Sequence, residues 1–245
     1  MDMGTDAEIK AQSIEQWWRD YDRGADSMSK ARLKDTGGAD FEPAPAGLTM
    51  GRCYQIIDLG THYNEMYDNY RHQIFIGFEL PNEKKTWKDK EGHEQTGPFS
   101  IGGFFTMSLS EKSKLRPFLE SWRGQAFTEE ELAGFDPEKI LGIPGMINVI
   151  HESKDSKTRA KIASISRLMK GTTCPPAIND TVFFMFEDFS TAAFEKVPDG
   201  FKKIIEKSTE WESRMKEAEE GGFVDDDLPD FAEKETNKEE EDIPF

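Results

Sequence analysis

The chain has 245 residues, of which 48 are acidic and 31 are Lys or Arg, so its formal net charge at pH 7 is −17. Only 36% of the residues are hydrophobic, but the 18 Phe and 5 Trp are large enough to build the core of one ordinary domain with extensions. No apolar run is long enough to span a membrane, and polar residues rather than a signal peptide follow Met1. The two cysteines, Cys53 and Cys174, are too few for a zinc site or a disulfide framework. We therefore expect a reduced cytoplasmic protein without membrane association.

Residues 1–35 are predicted to form a helical arm, and residues 36–47 a linker. The large apolar residues of the arm are few, namely Ile9, Ile14, Trp17, Trp18 and Tyr21. The linker sequence, TGGADFEPAPAG, is rich in Gly, Pro and Ala, a composition typical of a loop. The folded core is therefore expected over residues 48–190.

Alternation of apolar and polar residues predicts three strands in the first half of the core, over residues 48–56, 71–80 and 100–109. In the first strand one face carries Leu48, Met50, Arg52, Tyr54 and Ile56. In the second strand the inner face carries His72, Ile74, Ile76, Phe78 and Leu80. By the same alternation, Phe75 and Phe104 are predicted to face outwards.

A helix and further strands follow in the sequence. Leu115, Phe118, Leu119 and Trp122 have helical spacing, Gly124 ends that helix, and the residues from Thr128 to Glu131 form a capping-box pattern. Strands are predicted over residues 144–151, 158–168 and 181–186, and a C-terminal helix over residues 191–216. Three strands, a helix and two strands is the order of an OB-fold, a five-stranded Greek-key barrel, so the predicted class is mainly β with accessory helices.

The last 29 residues, 217–245, contain 13 acids and two Lys, which gives a net charge of −11. Such a segment repels itself and has too little apolar surface to fold, which predicts a disordered acidic tail. It nevertheless ends in Asp242, Ile243, Pro244 and Phe245. Apolar residues on a free carboxylate gain nothing in water but fit a partner's pocket with a basic rim. We therefore predict a partner-docking tip, and a purely solubilising tail is the alternative.

The sequence shows no catalytic constellation. The four histidines are scattered, and no Gly-rich phosphate-binding loop occurs. Asp58, Glu65 and Asp68 could bind a metal, but we expect them to be solvated loop residues. The predicted protein is therefore not an enzyme and has no metal or other cofactor.

Binding of a single nucleic-acid strand requires aromatic rings that stack on bases and cations that contact phosphates. The predicted stacking residues lie in the first connection, on the outer strand faces and in a lysine-rich hairpin: Tyr63, Tyr67, Tyr70, Phe75, Phe104 and Trp87. The predicted phosphate contacts are Arg71, Lys84, Lys85, Lys88, Arg159, Lys161 and Arg167, of which the last three share a predicted strand face with Ala163 and Ile165. Residues 151–171 have a net charge of +4 although the whole chain is acidic.

Each of these predictions has an alternative. A C-terminal element covering the outer strand faces would bury Phe75 and Phe104. The indole of Trp87 would be used up if it lay flat on its own sheet. For the strand over residues 158–168, the alternative is that its bases form an ordinary solvated face.

Several blocks of the core resemble a family of phage-encoded single-stranded-DNA-binding proteins. The blocks are LRPFLESWRG at residues 115–124, FTEEE at 127–131, GF at 134–135, LGIP at 141–144, NV at 148–149, IASIS at 162–166, VP at 197–198, Ile204 and STEW at 208–211. The resemblance covers residues 48 to 211 and implies an OB-fold and binding of single-stranded DNA. Independently, EDIPF at residues 241–245 resembles the acidic tip of bacterial single-stranded-DNA-binding proteins, which implies recruitment of partner proteins.

The sequence therefore favours a non-enzymatic protein that binds single-stranded DNA of any base sequence during phage DNA replication and recombination in an infected bacterial host. Its tip is expected to recruit host or phage replication and recombination proteins. The alternative is a protein-interaction adaptor whose tip mimics the host tail and whose barrel does not bind DNA. Metal-dependent degradation of DNA would instead indicate a nuclease. A homo-oligomer is compatible with the sequence.

Overall fold

The computed structural model describes residues 42–88, 91–154 and 157–219. The predicted N-terminal arm, residues 1–35, lies outside these residues, as do the linker up to residue 41 and the acidic tail from residue 220. The predicted docking tip, Asp242, Ile243, Pro244 and Phe245, belongs to that tail and lies outside them as well.

Strands and helices alternate in long blocks along the described residues. The strands are β1 (Gly47–Asn64), β2 (Asn69–Lys88), β3 (Glu94–Thr106), β4 (Pro144–Lys154), β5 (Lys157–Ser166) and β6 (Val182–Phe184). The helices are α1 (Leu115–Arg123), α2 (Glu129–Ala133), α3 (Thr191–Glu195), α4 (Asp199–Ile205) and α5 (Thr209–Glu219), and single 3₁₀ turns lie at Glu65–Tyr67 and Pro137–Ile140. The predicted end of α1 is confirmed, because Gly124 follows it with a left-handed φ of 68°. The predicted capping box at the start of α2 is confirmed too.

One curled sheet contains all of these strands, in the order β3-β2-β1-β4-β5. Neighbours in that order are antiparallel. The edge of β1 is divided, because residues 47–52 pair with β4 and residues 55–57 pair in parallel with β6. The sheet curls until Cα atoms of β3 and β5, its two ends, lie within 8 Å of each other. The predicted class, mainly β with accessory helices, is confirmed.

The inner core lies between the strands and α1. Phe78 of β2 and Trp122 of α1 form its centre, with ring centroids 5.1 Å apart. The indole Nε1 of Trp122 donates to the backbone oxygen of Pro144 at 3.0 Å, which fixes α1 to the start of β4. The inward alternation predicted for β2 is confirmed by the burial of Ile74, Ile76, Phe78 and Leu80. Ala44, which was predicted to lie in the linker, is also buried in this core.

Two β-bulges change which residues face the inner core. In β1 the pairing to β2 shifts at Tyr54, so Cys53 and Ile56 both point inwards and Leu48 is 63% exposed. Leu48, Met50 and Arg52 share a face as predicted, but the prediction that Ile56 lies on the same face is wrong. In β5 the extra residue is Ala163, so Ile162 and Ile165 both contact the core. The predicted common face of Arg159, Lys161, Arg167, Ala163 and Ile165 is wrong for the same reason, because one extra residue inverts the alternation.

The opposite side of the sheet carries an outer core. Ile57, Leu59 and Phe75 pack against apolar residues of the C-terminal segment, namely Phe184, Phe194, Val197, Ile204, Ile205 and Trp211. The single helix predicted over residues 191–216 is instead α3, α4 and α5. Pro198 separates the first two, because it has no N–H and holds an extended ψ of 143°. α5 continues to Glu219, beyond the predicted start of the tail at residue 217.

Two buried carboxylates attach the C-terminal segment to the sheet. Glu79 of β2 is fully buried and accepts hydrogen bonds from the backbone N–H groups of Ile178 and Asn179, at 3.1 and 2.8 Å. Asp58 of β1 is 2% exposed and accepts one from the backbone N–H of Phe186 at 3.3 Å. Because an unpaired buried carboxylate is costly, these contacts fix where the segment crosses the sheet.

Candidate nucleic-acid interface

A tyrosine hairpin, which we define as residues 63–71, connects β1 to β2. Tyr63 and Tyr70 are opposite each other across the two strands, and their ring centroids are 5.2 Å apart with planes inclined by 57°. Tyr67 lies in the 3₁₀ turn, and the guanidinium of Arg71 covers one face of its ring at 4.4 Å. The three rings are 43%, 54% and 64% exposed for Tyr63, Tyr67 and Tyr70. The structure therefore brings together four predicted contacts on one uncovered surface.

Local hydrogen bonds hold the tyrosine hairpin in shape. Asn64 is buried, and its side chain accepts from the backbone N–H of Tyr67 at 3.3 Å. Asp68 adopts the left-handed region at φ 48°, where Asp is tolerated better than most residues. The Tyr63 hydroxyl donates to the Asp68 carboxylate, and this hydrogen bond raises the pKa of Tyr63. The rings are thus presented by a preorganised turn.

A polar cluster at the base of the tyrosine hairpin joins it to α5. His72 Nε2 donates to the Asp58 carboxylate at 2.6 Å. Glu210 of α5 accepts from the backbone N–H and the hydroxyl of Thr61, at 2.7 and 2.6 Å, and lies 4.0 Å from His72 Nδ1. Gly60 is required here, because a Cβ atom would lie 2.4 Å from the Ser208 side chain.

The histidines of this cluster are shifted in opposite directions. The hydrogen bond to Asp58 raises the pKa of His72, against the opposing effect of burial. Burial lowers the pKa of His62, which donates to the backbone oxygen of Leu59 at 2.8 Å. The expectation that Asp58 is a solvated loop residue is therefore wrong, since Asp58 is buried and hydrogen bonded on both oxygens.

Phe75 does not lie on an exposed surface. Its ring packs between the rings of Phe104 and Phe201, at centroid distances of 5.0 and 4.4 Å, and it is 9% exposed. A C-terminal element covers it, so the outward and accessible position predicted for Phe75 is wrong. Phe104 remains 45% exposed at the margin of that cover.

The β2–β3 hairpin carries the predicted lysines and Trp87. The indole of Trp87 lies over Gly97 of β3, where a Cβ atom would lie 2.9 Å from the ring, yet the residue remains 44% exposed. One face of Trp87 is thus used by its own sheet. Lys84, Lys85 and Lys88 precede or follow it on β2, and Lys85 Nζ is 5.6 Å from the indole centroid. Residues 82–98 contain four Lys and four acids, so the hairpin is neutral overall.

The bases of β5 have different surroundings. Lys161 is exposed and forms an ion pair of 2.9 Å with Glu152 of β4. Arg159 is half-buried and pairs in register with Glu152. Arg167 follows the strand, and its side chain lies over Gly124 at the end of α1. Residues 150–167 still contain three more bases than acids.

The predicted contacts fall into two groups at opposite ends of the sheet. Gly47, the first residue of β1, pairs with Val149, so the end of β4 extends beyond it. On the other side of β1, Thr49 contacts Glu83 of β2 at 3.3 Å, so the end of β2 also extends beyond the start of β1. The β2–β3 and β4–β5 hairpins therefore project from one end of the sheet, and the tyrosine hairpin from the other.

The described residues offer neither a metal site nor a membrane-spanning helix. No group of three or more His, Cys, Asp or Glu that could hold a metal ion occurs within residues 42–88, 91–154 and 157–219. In the same ranges no helix has the length and apolar character needed to cross a membrane. The chain matches no protein-family model and no curated protein sequence. The resemblances drawn from its sequence blocks therefore stay predictions.

Proposed function

We propose that this protein binds single-stranded DNA of any base sequence, as a non-enzymatic component of phage DNA replication and recombination in the bacterial cytoplasm. The curled sheet is proposed to be an OB-fold. Its strand order and the position of α1 between β3 and β4 support this assignment, because OB-folds have a helix at that point of a five-stranded barrel.

The tyrosine hairpin is the observation that carries the proposal. Tyr63, Tyr67 and Tyr70 expose stacking surface together with the Arg71 guanidinium, and a hydrogen-bonded turn holds them in place. Base–aromatic stacking is tolerant of sequence because every base has a π-face. In an OB-fold the loop between the first two strands borders the ligand-binding face, and the tyrosine hairpin, which connects β1 to β2, would be that loop.

The predicted bases at the other end of the sheet would contact phosphates outside the stacked segment. Lys161 and Arg159 are the candidates there, because their hairpin carries excess positive charge. The β2–β3 hairpin is neutral, so Trp87, which is 44% exposed, is a better candidate for contact than the surrounding lysines. Phe75 is withdrawn from the proposed site because Phe201 covers it.

The acidic tip is proposed to recruit replication and recombination proteins. This part of the proposal rests on the sequence of residues 242–245, in which Ile243, Pro244 and Phe245 follow a run of acids. A short apolar segment that follows acidic residues fits an apolar pocket that has a basic rim.

A titration of the full chain against dT, rU and duplex DNA of equal length, at two salt concentrations, tests the proposal. We expect binding to dT that weakens as salt rises and that exceeds binding to duplex. Equal affinity for duplex and single strand would reject the proposed stacking site, and degradation of the probe on adding a divalent metal would reject the non-enzymatic role.

A protein-interaction adaptor is the second candidate, and one observation favours it. The tyrosine hairpin contains Glu65 and Asp68 against the single base Arg71, which is a poor electrostatic surface for phosphates. Tyr and Arg are also enriched at protein–protein interfaces. Failure to bind any of the three nucleic acids, with partner capture by the tip intact, would favour this function.

A further inference from the structure

An uncovered apolar face lies on the outer side of β1 and β4, away from the outer core. Leu48 is 63% exposed and Ile150 is 46% exposed. Leu48 is opposite Asn148, which is two residues from Ile150 on the same strand, so the two aliphatic side chains are diagonal neighbours on one face. On the same strands Ile147 and Val149 belong to the inner core, and Thr49, which is opposite Ile147, is buried. The two side chains form a small contiguous apolar patch, and contiguous exposed apolar surface marks places where another element or molecule docks.

The segment that precedes the described residues joins them beside this face. Ala44 is 3% exposed, and its backbone oxygen accepts from His151 Nε2 of β4 at 2.8 Å, which anchors the chain there. Leu48 follows Glu42 by six residues, so it lies at most about 21 Å from the point where the preceding segment ends. That segment comprises residues 1–41.

The sequence of the preceding segment contains a matching apolar set. Ile14, Trp17, Trp18 and Tyr21 have the spacing i, i+3, i+4, i+7, which would place them on one face of a helix. From Trp18 to Glu42 is 24 residues, and a coil of that length reaches on average roughly 27 Å. The tether is thus long enough for the set to reach Leu48 and Ile150 of the same chain, at an effective concentration of about millimolar.

We propose that residues 14–21 dock on the Leu48–Ile150 face of their own chain, with Trp17 and Trp18 covering the two aliphatic side chains. The docked segment would continue the cover of the sheet onto the strands that α3–α5 leave exposed. None of these residues belongs to the proposed stacking site, but Ile150 is opposite Lys161, a proposed phosphate contact. The docking is therefore tested in the absence of DNA, so that its outcome does not depend on DNA binding.

Limited trypsin digestion of the full chain tests the docking, because Arg19 and Arg23 are cleavage sites within and next to the apolar set. A face variant, Leu48→Thr with Ile150→Thr, keeps residues that suit strands and removes the apolar surface. The matched control, Met169→Thr with Ile178→Thr, changes two other exposed apolar residues, which are 59% and 51% exposed. Unchanged cleavage within residues 47–215 shows that each variant is folded.

Cleavage at Arg19 and Arg23 is expected to be at least fivefold slower in the parent and in the control than in the face variant, at every protein concentration. Equal cleavage rates in the parent and the face variant would overturn the proposal. Protection that the face variant loses but that also disappears on dilution would overturn docking within one chain and assign the cover to a second copy.

Discussion

The ring of Phe201 in α4 lies 4.4 Å from the ring of Phe75 in β2, centroid to centroid. This contact closes the outer face of β2, a face that OB-folds use for stacking. Gly102 of β3 makes room for the arrangement, since a Cβ atom there would lie 2.2 Å from the Phe75 ring. Phe75 thus serves the fold, whereas Phe104 beside it remains 45% exposed and the tyrosine hairpin exposes its rings at one end of the sheet.

Replacing Phe75 with Ala should destabilise the protein without affecting the DNA site. The free energy of unfolding is expected to fall by about 3–5 kcal/mol, because a large buried side chain leaves a cavity. Denaturant unfolding measures that loss. Single-stranded DNA affinity per folded molecule, measured at low temperature, should equal that of the parent, and a tenfold weaker affinity in the folded variant would return Phe75 to the site.

Replacing Gly102 with Ala tests the same packing from the other side. The new methyl group would collide with the Phe75 ring, so we expect a loss of about 1–3 kcal/mol in the free energy of unfolding. Gly134→Ala is the matched control, because no atom lies within 4 Å of its added Cβ and its φ of −169° is extended. Equal stability of the two variants would contradict the described contact.

The sequence predicts the strands and α1 correctly because alternation and helical spacing are local signals. The bulges at Tyr54 and Ala163 leave no local signal in the sequence. Each one reverses which side of the sheet the following residues of its strand face. The cover over Phe75 depends on contacts more than 100 residues apart, such as the contact with Phe201. One signal was available, since Phe194, Val197, Phe201, Ile204, Ile205 and Trp211 are too many large apolar residues for a solvated helix.

The candidate site divides in the same way. The exposure of Tyr63, Tyr67 and Tyr70 could be predicted, because a polar turn next to a strand end places Tyr at the surface. The polar cluster of Asp58, His72 and Glu210 could not, because Glu210 is nearly 140 residues from His72 and comes near only when α5 packs on β1.

Replacing Tyr67 or Tyr70 with Ala should weaken binding of single-stranded DNA. Each exposed ring that stacks on a base contributes about 1–3 kcal/mol, so the dissociation constant should rise roughly 5- to 150-fold. Met169→Ala, another exposed apolar residue, is the control and should bind as the parent does. Fluorescence titration with dT gives the affinities, and parental affinity in both Tyr variants would place the site elsewhere.

Replacing His72 with Gln should change stability in a pH-dependent way. The folded-state pKa of His72 is raised by its hydrogen bond to Asp58, so the proton binds the folded chain more tightly than the unfolded one. The stabilisation by His72 is therefore complete below the unfolded pKa of about 6.5 and is lost as pH rises through the folded pKa. The other charged groups facing the ring are Glu210 and His62, and both remain in the variant.

Denaturant unfolding of the parent and of His72→Gln between pH 5.5 and 9 measures this difference. It should be largest at the acidic end and shrink towards pH 9. His93→Gln, which removes an exposed histidine from the β2–β3 connection, controls for the loss of one titrating ring. A difference that grows with pH would contradict the assigned direction.

Removing residues 220–245 should raise the affinity for single-stranded DNA, whereas removing Phe245 alone should not. The 26 residues carry eleven acids and two Lys, a net charge of −9 that competes with DNA for the bases of the chain. Screening shortens the reach of that charge from about 30 Å at 0.01 M salt to about 10 Å at 0.1 M, so the gain should be larger at low salt.

Deletion of Phe245 keeps every acidic side chain and therefore keeps the parental DNA affinity. It removes the ring that a partner pocket would bind, so capture of host replication proteins should be lost. Titration with dT at the two salt concentrations measures the first effect, and pull-down from host extract measures the second. Equal DNA affinity with and without residues 220–245 would show that the acids do not compete, and full capture by the Phe245 deletion would leave the segment as a solubilising tail.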